Sequence, residues 1–188
     1  QLAEFDEVID VRSPSEFAED HVPGAINCPV RGDAERAAIG TMYKQLSPFD
    51  AKKRGAALVA KNIAGHIEAK FAAYGRNWRP LVYCWRGGKR SGAMVHILAE
   101  IGWHAAQLEG GYRAYRREIL AQLAELPGKF RYRVVCGATG SAKSRLLQAL
   151  ASAGEQVLAL EELASHRGSV LGNLPEQAQP APSRTSAR

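Results

Sequence analysis

The sequence predicts an α/β fold, a parallel sheet flanked by helices, and three observations carry that prediction. Short apolar runs at Glu7-Val8-Ile9-Asp10-Val11-Arg12, Pro80-Leu81-Val82-Tyr83 and Ala105-Ala106-Gln107-Leu108 have the length of strands. Stretches of helical period separate them, and strands joined through helices pair in parallel. Beyond Pro127-Gly128 a second strand, Gly-rich loop and helix follow, so another α/β region starts there. The expected division is residues 1–126 as a first domain, 127–130 as linker and 131–174 as part of a second. Residues 175–188, rich in Ala, Pro, Ser, Gln and Arg without period, are expected to be a disordered tail.

Taken in order, the first strand ends in a charged pair, Asp10 and Arg12, expected to brace the frame by ion pairing. Ser13 and Pro14 then start a helix: Ser13 as N-cap, Pro14 at the first position and Glu16 three residues on, a capping box. His21-Val22-Pro23-Gly24-Ala25-Ile26-Asn27 is a turn into a second strand, with His21 expected to fix that turn rather than act as a base. From Asp33 to Ala73 the pattern is helical and long, with Ala56, Leu58, Val59, Ile63, Ile67 and Phe71 as one apolar stripe. Gly110-Gly111 closes the last strand, and Tyr112 to Leu126 reads as a basic amphipathic helix.

Composition narrows the function classes. The 188 residues are 46% hydrophobic, and no apolar run approaches the ~18 residues of a membrane span, so no membrane partner is expected. Three widely spaced cysteines, Cys28, Cys84 and Cys136, form no metal-ligand pattern, and a reducing cytoplasm suits them. The net charge of +6 is uneven: acidic residues crowd the first twenty positions, while Arg113, Arg116, Arg117, Lys129, Arg131, Arg133, Lys143 and Arg145 cluster in the second half. Such a half suits phosphate or RNA, though a charged stripe is most often a solvated face.

The chemistry centres on Tyr83-Cys84-Trp85-Arg86-Gly87-Gly88-Lys89-Arg90-Ser91. Cys84 ends a strand on a tight loop that enters a helix at about Ser91. Loop amides, the helix end and the charges of Arg86, Lys89 and Arg90 all favour thiolate, the nucleophilic form. Gly87-Gly88 lets the backbone curl into a nest for an anion or a terminal sulfur or selenium. Trp85 through Arg90 are therefore taken as the anion and chalcogen loop around Cys84. The spacing from Cys84 to Arg90 also satisfies the Cys-x5-Arg pattern of a cysteine phosphatase, so the loop alone leaves both chemistries open.

Further on, Tyr132-Arg133-Val134-Val135-Cys136 reads as a strand, Gly137 to Ser144 as a Gly-rich loop, and a helix follows through Leu146, Leu147 and Leu150. This is the context of a P-loop. Gly137, Gly140, Lys143 and Ser144 would cradle phosphates, with Ser144 as a Mg²⁺ ligand. Ala142 stands where the pattern wants Gly, and its Cβ is expected to crowd the phosphate or force an unfavourable backbone angle. Gln156-Val157-Leu158-Ala159-Leu160 reads as another strand.

Asp10-Val11-Arg12, Glu16-Phe17, His21 through Asn27, the Cys84 loop and Leu108-Glu109-Gly110-Gly111-Tyr112, in this order, resemble a rhodanese domain. Joined to the P-loop, to the string Leu160 through Ser169 and to Ile39-Gly40-Thr41-Met42-Tyr43-Lys44-Gln45, they resemble the tRNA 2-selenouridine synthases. The resemblance implies replacement of sulfur by selenium in the wobble 2-thiouridine of tRNA, through an S-geranylated intermediate. It also implies selenophosphate as selenium donor, geranyl diphosphate as co-substrate, and Cys84 as the residue that carries selenium. An enzyme that makes selenophosphate is then an expected partner. Two departures stand out: Ala159 replaces a carboxylate, and the P-loop region reads as cut short where the resemblance implies a longer domain. A plain rhodanese sulfurtransferase, and a non-catalytic remnant that binds tRNA through the basic helix, remain the alternatives.

Overall fold

The computed structural model describes residues 4–45, 47–166 and Gly172. Two compact units divide the chain, residues 1–119 and residues 120–188.

In the first unit the strands are β1 (Glu7–Asp10), β2 (Ile26–Asn27), β3 (Pro80–Tyr83) and β4 (Ala106–Gln107). They form one parallel sheet in the order β2-β1-β3-β4, with Ile9 opposite both Ile26 and Val82. Because every strand runs the same way, all the carboxyl ends lie on one edge. That edge carries Cys84 directly after β3, Val11 and Arg12 after β1, and Cys28 after β2. β3 is buried at all four positions, as a central parallel strand covered on both faces must be. Cys28 sits one residue past β2 rather than within a strand, and it is fully buried.

The helices are α1 (Pro14–Glu19), α2 (Asp33–Gln45), α3 (Pro48–His66), α4 (Lys89–Ile101) and α5 (Gly111–Glu125). The helical stretch expected over 33–73 is two helices and a π turn, Ile67–Phe71. The break falls at Ser47-Pro48. Pro48 has no N–H to continue a preceding helix, and the Ser47 side chain accepts the Asp50 amide at 3.3 Å as a new N-cap. The apolar stripe lies wholly after the break: Val59 and Ile63 of α3 and Phe71 pack with Ile9, Val11, Val82, Met94 and Leu98 into one core. Phe71 meets Trp78 at 5.1 Å, and Trp78 meets Trp103 edge-on at the same distance.

The second unit contains a turn of 3-10 helix at Leu126–Lys129, then α6 (Lys143–Ser152) and α7 (Leu160–Leu163). Neither expected strand forms. Residues 131–138 and 155–159 are irregular, and Val134 is 80% exposed. A strand exists only with a neighbour to take its N–H and C=O groups, and among the described residues these two segments have none. Cys136, expected to be buried in a strand, is accordingly exposed. The expected tail at 175–188 lies outside the described residues.

Candidate active site

Cys84 is 3% exposed, at the point where β3 gives way to the loop. Its Sγ accepts the Gly88 amide at 3.2 Å and the Ser91 hydroxyl at 3.2 Å. Ser91 is the third residue of α4, so the helix start itself delivers a side-chain donor to the sulfur. Gln107 at the end of β4 holds both partners: its Nε2 donates to Ser91 Oγ at 2.9 Å and to the Gly88 carbonyl at 3.1 Å. Burial on its own would push the Cys84 thiol up. The Ser91 hydroxyl and the amides of Ser91, Gly88 and Arg86 outweigh it, and the thiol lies below its ordinary range.

The sequence pattern assigns part of this effect to the three loop cations, and the structure redistributes it. Arg90 is engaged elsewhere, bonded to Glu16 at 3.1 Å, while Arg86 and Lys89 extend to solvent. Neutral donors in contact with the sulfur act at closer range than exposed, solvent-screened charges. Glu16 in turn receives the Ser13 amide, the capping box read from sequence, so α1 and the start of α4 share one carboxylate.

A second Gly-rich turn locks the first. Gly111 has φ +60°, and a Cβ there would sit 2.2 Å from the Cys84 carbonyl and 2.4 Å from the Gly87 amide nitrogen. Gly87, at φ +62°, would place its own Cβ 2.7 Å from the Leu108 carbonyl. Only two glycines let these backbones approach. The first amides of α5 then bond the loop directly, Tyr112 to the Cys84 carbonyl at 2.9 Å and Arg113 to the Trp85 carbonyl at 3.0 Å.

Asp10 and Arg12 form the expected brace, 2.7 Å apart and both buried. Arg12 also donates to the Asp20 carbonyl at 2.6 Å, and its guanidinium lies 4.1 Å from the centre of the Tyr112 ring. Asp20 accepts from the Tyr112 hydroxyl and, at 3.0 Å, from Arg116. The chain after β1 is thereby tied to α5, and α5 to the loop. His21 bonds the Phe17 carbonyl through Nδ1 at 2.8 Å and stacks on the Phe17 ring, as a turn-fixing residue should. Gln107, Gly111, Asp20 and Tyr112 escaped the sequence reading as supports of the site. Nothing local in their spacing marks them, since each acts on a residue far away in the chain.

Gly137 and Gly140 lie in the loop before α6 and Lys143 and Ser144 open that helix, but the arrangement is differently held. Lys143 Nζ donates to the carbonyls of Gly137 at 2.8 Å and Ala138 at 2.7 Å. Ala142 adopts φ +60°, the left-handed angle expected to be unfavourable for a residue with a Cβ. Ser144 Oγ donates to Glu161 at 3.3 Å, placing a carboxylate beside the hydroxyl although Ala159 lacks one. These two oxygen donors fit a Mg²⁺ ion that keeps most of its ligands as water and phosphate oxygen, and such an ion would supply positive charge to bound phosphates. Among the described residues no cluster of three or more His, Cys, Asp or Glu side chains is placed for a metal, and no helix is long and apolar enough to cross a membrane.

Comparison with known proteins covers both units. Residues 1–118 match the rhodanese-like domain, and residues 130–184 match the tRNA 2-selenouridine synthase AAA domain. Among curated proteins, the tRNA 2-selenouridine synthase of Nitrosomonas europaea is 34% identical over 168 residues, covering 89% of this chain and 43% of that protein. The tRNA 2-selenouridine synthase of a Sulfurovum species is 38% identical over 166 residues, covering 88% of this chain and 44% of that protein. The chain thus spans less than half the length of these relatives. Among solved structures, the N-terminal domain of a Clostridium difficile 630 protein described as ATP/GTP binding is 38% identical. It superposes with a TM-score of 0.53 over 63% of this chain and 93% of that one. With a thiolate-stabilising loop at the carboxyl edge of a parallel sheet and the AAA match behind it, the chain belongs to the rhodanese-like family, in the tRNA 2-selenouridine synthase group.

Proposed function

We propose that this chain carries the chalcogen-transferring part of a tRNA 2-selenouridine synthase, with Cys84 as the residue that bears selenium. The observation that supports this reading most is the Cys84 sulfur itself: buried, yet held toward thiolate by the Gly88 amide and the Ser91 hydroxyl. The same donors suit the terminal anion of a selenosulfide.

In the loading step the Cys84 thiolate attacks the chalcogen of a donor whose leaving group departs with the bonding pair. With selenosulfate, the S–Se bond forms as the bond to sulfite breaks, and Cys84–S–Se⁻ results. Selenophosphate, the donor we propose for the complete enzyme, holds selenium two electrons lower: its selenium attacks Cys84 of a mixed disulfide with a small thiol, expelling that thiolate, and water then takes the phosphoryl group, leaving Cys84–S–Se⁻ and phosphate. The terminal selenium is then the nucleophile toward C2 of the wobble base, whose geranylated sulfur departs as geranyl thiol. Two thiols cleave the remaining Se–S link, which restores Cys84 and forms a disulfide. The loop from Gly137 to Ser144 is the proposed seat for the diphosphate of geranyl diphosphate. A cytoplasmic location and an encounter with a selenophosphate-producing enzyme belong to the same reading.

A sulfurtransferase reading shares Cys84 and its donors, and assays distinguish the two. The chain incubated with thiosulfate, or with selenosulfate, should gain one chalcogen atom on the Cys84 peptide by mass spectrometry. Transfer onward to thiolated tRNA, followed by nucleoside analysis, separates selenium exchange from plain sulfur transfer. Cys84→Ser should abolish both steps, because a hydroxyl is a far poorer nucleophile near neutral pH and forms no persulfide. Persistent transfer in that variant, or loading on Cys28 or Cys136, would exclude Cys84 as carrier.

A further inference from the structure

Trp85 follows the nucleophile directly and is 40% exposed, an unusual place for an indole in a loop whose neighbours Tyr83 and Cys84 are buried. Its position is nevertheless fixed. The Trp85 carbonyl accepts the Arg113 amide at 3.0 Å, and its ring leans on Tyr112 at 5.7 Å and 35°. Tyr112 is immobilised in turn by Asp20 and by the Arg12 guanidinium. The indole is therefore a rigid aromatic surface beside the reactive sulfur rather than a loose side chain.

The two segments that meet at it carry exposed cations, with Glu109 exposed on the turn before α5 and Glu118 beside Arg117. Arg86 and Lys89 of the same loop are exposed, and so are Arg113 and Arg117, four residues apart on one face of α5. The Arg113 backbone bond to Trp85 brings that face to the indole. A fixed aromatic surface set among exposed cations is the arrangement that binds single-stranded nucleic acid, with bases stacking on the ring and phosphates meeting the cations. A thiosulfate-sized donor would need the cations but not the aromatic surface.

We infer that Trp85 is a stacking platform: an unpaired pyrimidine of the RNA substrate lies on its indole, which brings C2 of that base to the chalcogen on Cys84. This rests on the proposed RNA substrate and names the residue that would recognise it. In this arrangement Arg113 and Arg117 meet the flanking phosphates.

The test uses the full chain and a short single-stranded RNA carrying one 2-thiouridine, labelled for fluorescence anisotropy. Trp85→Phe keeps an aromatic face and should bind within about threefold of wild type. Trp85→Leu keeps apolar bulk without that face and should bind roughly 10- to 100-fold more weakly. The Cys84 alkylation rate, measured on the same samples, reports whether the loop itself has shifted. Equal affinity in the Leu and Phe variants overturns the platform, as does a binding loss matched by an equal loss of Cys84 alkylation. Tight binding with the expected Leu defect but no chalcogen transfer to the RNA upholds the platform and removes the proposed reaction. Transfer that proceeds with undiminished binding in Trp85→Leu upholds the reaction and removes the platform. No binding by wild type removes both.

Discussion

Two Gly-rich loops in this chain lead into helices, and they are built to different standards. The loop from Cys84 to Ser91 leaves a fully buried parallel strand, and a second glycine turn fixes it from outside. Its carbonyls at Cys84 and Trp85 are taken by α5 amides, and its sulfur by Gly88 and Ser91. The loop from Gly137 to Ser144 leaves irregular chain, and its lysine bonds the loop's own carbonyls. A residue with a Cβ holds the left-handed angle at its end. The difference shows that a loop motif supplies donors only. Whether those donors are preorganised depends on what the rest of the fold places against them.

The largest expected effect sets glycine against glycine. Gly111→Ala combines a left-handed angle with a Cβ thrust against the Cys84 carbonyl, and should cost the first unit on the order of 3 kcal/mol. Gly140→Ala, at φ +84° with nothing within 4 Å of the added Cβ, carries the angular cost alone, about 1–2 kcal/mol. Ala142→Gly should stabilise the second loop by about 1 kcal/mol, since it relieves φ +60°. Trp78, Trp85 and Trp103 all lie in the first unit, so urea unfolding followed by tryptophan fluorescence reads Gly111→Ala, and far-UV circular dichroism reads the others. Equal costs for the two alanine variants would erase the distinction between the loops.

A smaller effect comes from the thiols. Burial pushes Cys28 up to about 11, with Lys70 only partly opposing it, while Cys136 of the second unit is exposed. The native state then keeps the Cys28 proton after the unfolded chain has released it from a group of ordinary value 9.0. Its contribution is complete below pH 9 and is lost as pH rises toward 11. Between pH 9 and 10 the loss is about 1 kcal/mol. Cys84 runs the other way: its lowered thiol adds stability that is present above the ordinary thiol value and lost as pH falls through the lowered one. Urea midpoints across pH 8 to 10, for wild type and Cys28→Ala, isolate the Cys28 part. A slope unchanged by Cys28→Ala would sink that assignment.

The smallest effect is kinetic. Ser91→Ala removes the hydroxyl donor from Cys84 and should slow its alkylation at neutral pH by roughly threefold to tenfold, up to one unit of thiol acidity. Cys136 in the same molecule serves as reference, labelling alongside Cys84 in native protein, while Cys28 labels only on unfolding. An unchanged ratio of Cys84 to Cys136 labelling would mean that backbone amides alone poise the sulfur.

Much of the first unit was legible because its signals are local. The strand periods, the Ser13-Pro14-Glu16 cap and the strand-to-helix place of Cys84 can each be read within a few residues. The break at Ser47-Pro48 is equally local, a cap residue followed by proline, although the helical pattern runs on both sides of it. The strands at 132–136 and 156–160 were misread for the opposite reason: their composition suits a sheet, but pairing is a property of the neighbour, not of the segment. Gln107 lay beyond reach as well. It touches Ser91 and Gly88 only because β4 lies beside β3, and no spacing in the sequence encodes that.

The bonds from the start of α5 to the Cys84 loop also order events in time. During synthesis, β3, the loop and α4 emerge from the ribosome well before Tyr112 and Arg113, whose amides hold the Cys84 and Trp85 carbonyls. Gln107, which positions the Ser91 hydroxyl, also arrives after α4. Folding within a growing chain proceeds from what has already been made. Full preorganisation of the donors around the sulfur therefore waits for β4 and the first turn of α5, which close against the loop after it has been made.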